Sequence, residues 1–339
     1  MPILENLDNF VLNCNIYSLP LSFRPSLHQQ STPKNHKRLL RMSYHLLRFF
    51  FRIMSRLPFS VLYAMSGVMY LLLYYVIRYR RKIVRKNLTE SFPEKSRKEI
   101  LGIEKKFYRY FADNIAESFK MSAMSPEEMG RRMRFTNVEA VNAVLRKGTS
   151  VALYLGHYGN WEWISSMPLH LEKSAVAAQI YHKLRNKAMD RIMLEHRGSH
   201  GAVSVDMYKT ARYITELSAR HQTSIIGFIA DQSPKKREVR HFLQFLHHKT
   251  PVLTGTEKIT KHYGFDPWFV RIRKVSRGYY EAEFIHMHDN LKSVPDFGLT
   301  QIYYDMLEQA IRETPELYLW THNRFKHAEL SEPANTNNL

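Results

Sequence analysis

The chain has one cysteine, Cys14, in 339 residues. A single thiol excludes an intramolecular disulfide framework and any zinc site built on several cysteines. Acid is scarce relative to base. The 31 Asp and Glu residues face 50 Lys and Arg, leaving a formal net charge of +19. That imbalance asks for an anionic partner or surface, whether nucleic acid, anionic lipid or an acidic protein. A recognisable nucleic-acid module is missing, and the basic residues flank an apolar run instead, so nucleic acid is not the expected partner. The His-Glu-x-x-His spacing of zinc hydrolases is missing too, and no metal or nucleotide is expected. Internal repeats and low-complexity tracts are absent. What is present, 44% hydrophobic and 13% aromatic residues, is enough for one large core with appendages.

The longest uncharged stretch runs from Leu57 to Ile77, 21 residues, about the length a helix needs to cross a hydrocarbon core. Arg78, Arg80, Arg81, Lys82, Arg85 and Lys86 crowd behind it, and Tyr70, Tyr74 and Tyr75 sit near that end. An apolar span with an aromatic belt and a basic, cytoplasm-facing flank reads as a membrane anchor. A buried core helix is the alternative, because Ser60, Ser66 and Gly67 dilute the run, but such a helix has no use for the basic flank. Just before it, Tyr44 to Met54 is apolar except for Arg48 and Arg52, four apart on one helical face. This piece either lies in the interface or forms one arm of a re-entrant hairpin. Residues 1–41 contain Pro20, Pro25 and Pro33 and no sustained period, and read as a largely disordered extension. The basic–apolar–small order of a signal peptide is missing. The expected organisation is therefore an extension over 1–41, an anchor with its basic flank over 42–86, a globular domain over 87–330 and a tail over 331–339.

In the globular part Ser96 and Glu99 form a capping box for a helix whose apolar positions run from Ile100 to Ile115. Strands and helices then alternate. Strands are expected at 150–155, 175–180, 203–205, 223–230, 265–274 and 279–286, with helices at 161–169, 185–196, 207–221 and 299–313. The alternation predicts an α/β fold, an αβα sandwich with a mostly parallel sheet. Strand 151–155 leads to His157 and strand 223–230 leads to Asp231, so both residues should open on the same edge of the sheet, where ligands bind in such folds.

His157-Tyr158-Gly159-Asn160-Trp161-Glu162 joins a histidine and a carboxylate across a glycine-containing loop. A neutral imidazole takes a proton from a hydroxyl, and a nearby carboxylate fixes its tautomer and balances the imidazolium. Glu162 is the expected partner of His157. Asn160 is placed either to cap the following helix or to donate to an oxyanion. The bland reading, a histidine and a glutamate near each other by chance, stays open on this block alone.

The block belongs to an ordered set. Arg85-Lys86-Asn87-Leu88 and Phe92-Pro93-Glu94 follow the apolar run. Gly156 to Glu162 comes next, then Tyr181, Asn186 and Arg197-Gly198, then Ala230-Asp231-Gln232. Phe245-Leu246, Thr250-Pro251-Val252-Leu253-Thr254-Gly255 and Pro315 to Lys326 complete it. This order, over about Tyr44 to Lys326, resembles the lipid A late acyltransferases, the lauroyl and myristoyl transferases of the bacterial lysophospholipid acyltransferase superfamily. The resemblance implies a glycerolipid-acyltransferase-like fold and transfer of a fatty acyl chain from acyl carrier protein, or acyl-CoA, to a hydroxyl of a lipid A precursor. It implies His157 and Glu162 as catalytic residues, with Arg197 and Asp231 important to the site; Asn160, from its place in the loop, is expected beside them as a substrate contact. Of these, Asp231 is expected to position Arg197 or the acceptor. It also implies a bacterial inner-membrane location with the catalytic part on the cytoplasmic side. Pro234-Lys235-Lys236 and Leu246-His247-His248 depart from the family pattern, which leaves acyl length and acceptor open. Lysophospholipids, aminolipids and glycolipids are alternative acceptors. A non-catalytic, membrane-anchored protein that binds anionic lipid is the alternative of another class.

Overall fold

The structure is a computed structural model that describes residues 34–330, with side chains from residue 43 on. The extension expected over 1–41 lies outside the described residues up to 33, and from Lys34 the chain is helical. Two helices come first, α1 (Lys34–Arg56) and α2 (Phe59–Leu71), with one π-helical turn continuing α2 over Leu72–Val76. Helices α3 (Arg81–Ser91) and α4 (Arg97–Lys120) follow, then α5 (Pro126–Arg132). The capping box at α4 forms as expected, Ser96 Oγ accepting from Glu99 N and Glu99 Oε2 from Ser96 N.

The remaining chain builds a mixed α/β fold around a seven-stranded, mostly parallel sheet. In chain order its strands are β1 (Met133–Thr136), β2 (Val151–Leu155), β3 (Val176–Tyr181), β4 (Val203–Asp206), β5 (Ser224–Ile229), β8 (Asp266–Ser276) and β9 (Tyr279–His286). The spatial order is β1-β9-β8-β2-β5-β3-β4. Only the β8–β9 hairpin is antiparallel. Between β5 and β8, β6 (His241–Phe245) and β7 (His248–Val252) pair as a separate hairpin. Helices α6 (Val138–Arg146), α7 (Lys187–Arg197), α8 (Thr210–Ala219), α9 (Gly255–Tyr263) and α10 (Gly298–Glu313) complete the fold.

All five residues of β2 are buried, as are the first five of β5. Runs buried on both faces are what a central parallel sheet requires. β2 and β5 are neighbours in register, Leu155 opposite Ile229. Successive tyrosines on α10 hold their ends: Tyr303 Oη donates to the carbonyl of Leu155, and Tyr304 Oη to that of Ala230, each at 2.9 Å. The edge that carries the site is thereby pinned from one helix.

The apolar run from Leu57 is neither wholly free nor wholly buried. Leu62, Ser66, Tyr70, Leu73 and Tyr74 are buried on one face, and α2 packs along α4. The other face, with Val61, Met65, Val68, Leu71, Leu72 and Val76, is exposed. The basic flank is also partly structural. Arg81 and Arg85 both reach the buried carboxylate of Glu104, and Arg80 donates to the carbonyl of Thr321. The flank therefore has an intramolecular use, contrary to expectation.

Candidate active site

His157 and Asp231 each lie two residues past the end of one of the neighbouring strands β2 and β5. The adjacency brings them together. His157 Nδ1 and Asp231 Oδ1 are 2.7 Å apart, and the backbone N–H of His157 donates to Oδ2 at 3.1 Å. A carboxylate on Nδ1 demands a proton there, which leaves Nε2 as the basic nitrogen. The Gln232 amide lies 3.4 Å from Nε2, and the Trp161 ring meets the imidazole edge-on at 5.4 Å. Burial would raise the Asp231 carboxyl, but the imidazole and its hydrogen bonds outweigh burial and hold it below the usual range.

Glu162 takes a different partner from the expected one. Arg197 Nε donates to Oε2 at 2.8 Å and Nη2 to Oε1 at 2.6 Å, a two-point guanidinium–carboxylate pair. Both side chains are about nine-tenths buried. Burial again pushes the carboxyl up, and the Arg197 guanidinium overrides it, so Glu162 also sits below its ordinary value. The expected pairing is thus exchanged: Asp231 holds Nδ1 of His157, and Glu162 holds Arg197. The reason is spatial. The β2–β5 register delivers Asp231 to the imidazole, whereas the last residue of α7 points its guanidinium at the first turn after Asn160.

That turn opens the helix expected over 161–169, which forms as a run of 3-10 turns over Trp161–Leu169. Ser165 and Ser166 donate their hydroxyls to the carbonyls three residues back, Glu162 and Trp163, competing with α-helical bonding. Asn160 caps the run, its Oδ1 accepting from Trp163 N at 3.3 Å. Its Nδ2 donates to Glu117 at 2.8 Å, and the residue is fully buried. Of its two alternative roles the structure has the cap. Asn160 is also expected as a substrate contact; both its amide oxygen and its amide nitrogen are bonded inside the protein, and it is not among the residues that line the cavity described below. Gly159 has φ +60, and a Cβ there would lie 2.5 Å from Ile272 Cγ2. Its carbonyl accepts from Tyr110 Oη.

Glu117 was not foreseen. It is fully buried on α4 and accepts from Asn160, from Tyr280 Oη at 2.8 Å and from Tyr63 Oη at 3.0 Å. Tyr110, Asn114 and Glu117 continue the apolar stripe of α4 at positions i, i+4 and i+7, and polar residues on a buried stripe were the available signal. Complete burial pushes the Glu117 carboxyl up from 4.5 to about 7. The unfolded chain loses this proton above pH 4.5, while the fold keeps it to about pH 7. The group's contribution to stability is therefore full below pH 4.5, declines as pH rises to about 7 and is level beyond. Glu117→Gln should remove that decline, seen as urea midpoints of the two proteins compared from pH 4.5 to 8. A difference between them that is constant with pH would mean that the folded carboxyl titrates normally.

His157, Glu162, Arg197 and Gln232 share the wall of a cavity of about 310 Å³. The remaining wall is largely apolar, with Ile164, Ile180, Phe228 and Ile259 among the lining residues. Asp231 stands behind the wall. Pro234 and Glu238 border the cavity, and Lys236 and Arg237 are exposed on the same loop. Among the described residues no group of three or more His, Cys, Asp or Glu is gathered as for a metal ion.

Residues 32–327 match the family described as bacterial lipid A biosynthesis acyltransferase. The chain belongs to this family. No curated protein matches it. Family membership makes the chain an acyltransferase of the lipid A type in general and places it among bacterial membrane-associated proteins. The motifs that carry the resemblance converge in space. The terminal block pairs with the histidine block, Gly159 N donating to Leu317 O and Leu319 N to His157 O. Asn87 donates to the carbonyls of Trp320 and His322. Arg324, only 1% exposed, donates to the Pro251 carbonyl and the Tyr304 hydroxyl, and so ties the terminal block to the Thr250–Gly255 block and to α10. Tyr318 and Trp320 are core. Much of the motif set thus holds the loop of His157 in place.

Proposed function

We propose that the protein moves a fatty acyl chain from acyl carrier protein to a hydroxyl of a lipid A precursor at the cytoplasmic side of a bacterial inner membrane. The observation that carries this reading is His157, its Nδ1 held by Asp231, at the wall of an apolar cavity that also presents Arg197. Nε2 of His157 takes the acceptor's hydroxyl proton as its oxygen attacks the thioester carbonyl. The C–S bond breaks, the new ester C–O bond remains, and the departing thiolate recovers the proton from His157. Asp231 keeps the imidazole in the required tautomer and balances its positive charge. Arg197, oriented by Glu162, meets the negative charge of the donor or acceptor. The apolar wall accepts the acyl chain, and the basic loop at the cavity border suits an acidic carrier protein. Acyl carrier protein, or acyl-CoA in its place, acts as co-substrate, and the reading needs no metal or cofactor.

The test is acyl transfer by the purified full chain in detergent, with charged acyl carrier protein and a tetra-acylated lipid A precursor. The expected product is heavier by one acyl chain and is lost in His157→Ala. Transfer to lysophospholipid or aminolipid alone would keep the chemistry and replace the acceptor. Full activity in His157→Ala would sink the mechanism.

A further inference from the structure

Helices α1 and α2 carry an apolar surface that the other described residues leave uncovered. On α2 and its π-turn, Val68 is 59% and Val76 70% exposed, in line with Val61, Met65, Leu71 and Leu72. On α1, Leu46 is 70% and Phe49 63% exposed, with Phe50 and Ile53 beside them. A surface of this extent marks an interaction site.

The composition around it selects the occupant. Between Asp8 and Glu90 there is no acidic residue, while Arg52, Arg56, Arg78 and Lys82 are exposed at the ends of the two apolar stripes. A second copy of this chain would bring the same positive charge against itself. A bilayer leaflet of anionic lipid offers apolar depth and negative headgroups together.

The opposite face of α2 then limits how it meets the lipid. Ser66 donates to Asp113 at 2.6 Å, and Arg277 of the β8–β9 turn donates to the same carboxylate. Tyr63 donates to Glu117. At that turn a Cβ on Gly278 would lie 2.0 Å from the Tyr63 hydroxyl. Arg109 sits over the Tyr70 ring at 5.2 Å. These ties run along most of the helix and bind it to α4. If α2 crossed the bilayer in this arrangement, α4 would enter with it, carrying the exposed Lys105, Lys106 and Arg109 into hydrocarbon. If α2 crossed alone, the buried carboxylates of Asp113 and Glu117 would lose partners and the apolar face of α4 would be bared.

We propose that α1 and α2 lie along one leaflet of an anionic bilayer, apolar faces down, and that neither crosses it. The proposal rests on the membrane association given above and not on the acyl-transfer chemistry. It also sets the site close to the lipid. Helix α1 packs on α7 through Tyr44, which donates to Glu195 at 2.6 Å, and through Phe51 against His196. The next residue is Arg197, at the cavity wall. The leaflet and the cavity are thus separated by one layer of helix, a short path for an acceptor whose chains stay in the same leaflet.

The experiment is a depth profile of the full chain on phosphatidylethanolamine–phosphatidylglycerol vesicles. Cys14→Ser supplies the background, and single cysteines replace Val61, Met65, Val68, Leu72 and Val76 for spin labelling. Oxygen and nickel-chelate relaxation then reports depth. The expected result is one shallow depth at all five positions. A profile shallow at Val61 and Val76 and deepest at Val68 would mean a crossing helix and overturn the proposal. Absence of vesicle binding by the background protein would overturn both the proposal and the membrane association, leaving the transfer chemistry to its own assay. As a second arm, Val68→Asp with Leu72→Asp alters only exposed positions. It should lower vesicle partitioning at least about tenfold with the urea midpoint kept, and unchanged partitioning would overturn the proposal.

Discussion

Asp231→Asn should lower the turnover of acyl transfer by about 10²–10⁴-fold, the usual worth of general base catalysis, with little change in KM. Two interactions meet at the one carboxylate. Oδ2 accepts from the backbone N–H of His157, and Oδ1 faces Nδ1. In the asparagine variant the side-chain oxygen keeps the backbone donor, so the NH2 group faces Nδ1. Nδ1 must then accept, the ring proton moves to Nε2, and the nitrogen at the cavity can no longer take a proton. Substrate binding should survive, because Asp231 stands behind the wall rather than in it. The measurements are kcat and KM for both substrates, with a urea midpoint to show that the fold is kept. Near-normal turnover here, combined with a collapse in Glu162→Gln, would return the orienting role to Glu162.

That test bears on what a sequence can carry. His157 and Asp231 were placed at one sheet edge because each follows an apolar run ending in a polar loop, and the register of β2 on β5 agrees. Which carboxylate meets the imidazole was not legible. Glu162 is five residues from His157 and invites a local pairing, whereas Asp231 is 74 residues away and adjacent only through strand order. Nearness in sequence was the misleading cue. The β6–β7 hairpin was missed for a related reason. Its turn, Leu246-His247, has positive φ at both residues, 50° and 65°, and lacks the Asn-Gly or Asp-Gly that advertises such a turn. The uncharged run from Leu57 announced its composition but not its partner, since Ser66 and Tyr63 declare a buried face only once Asp113 and Glu117 are set beside them.

Arg197→Met should destabilise the fold by about 3–5 kcal/mol, because it leaves a buried carboxylate without its counter-charge. Glu162 is about nine-tenths buried, and both of its oxygens receive the guanidinium. The double variant Arg197→Met with Glu162→Gln removes the stranded charge along with the pair and should recover most of the loss. Both variants should lose transfer, since neither has a cation at the cavity wall. The pH dependence separates this account from a packing defect. In the native protein Glu162 is held below its ordinary value, so the pair's contribution is present above the unfolded carboxyl's range near pH 4.5 and is lost as pH falls through the folded value. In Arg197→Met the sign reverses. The stranded carboxyl moves up, its proton is retained by the fold, and the variant gains stability relative to wild type as pH falls from 7 towards 4.5. Urea midpoints of wild type, single and double variants across that range decide it. Parallel curves for wild type and the single variant would assign the cost to lost packing. Convergence at low pH would assign it to the charge, and would identify Glu162 as the residue that needs Arg197 in order to fold while Arg197 needs Glu162 in order to aim.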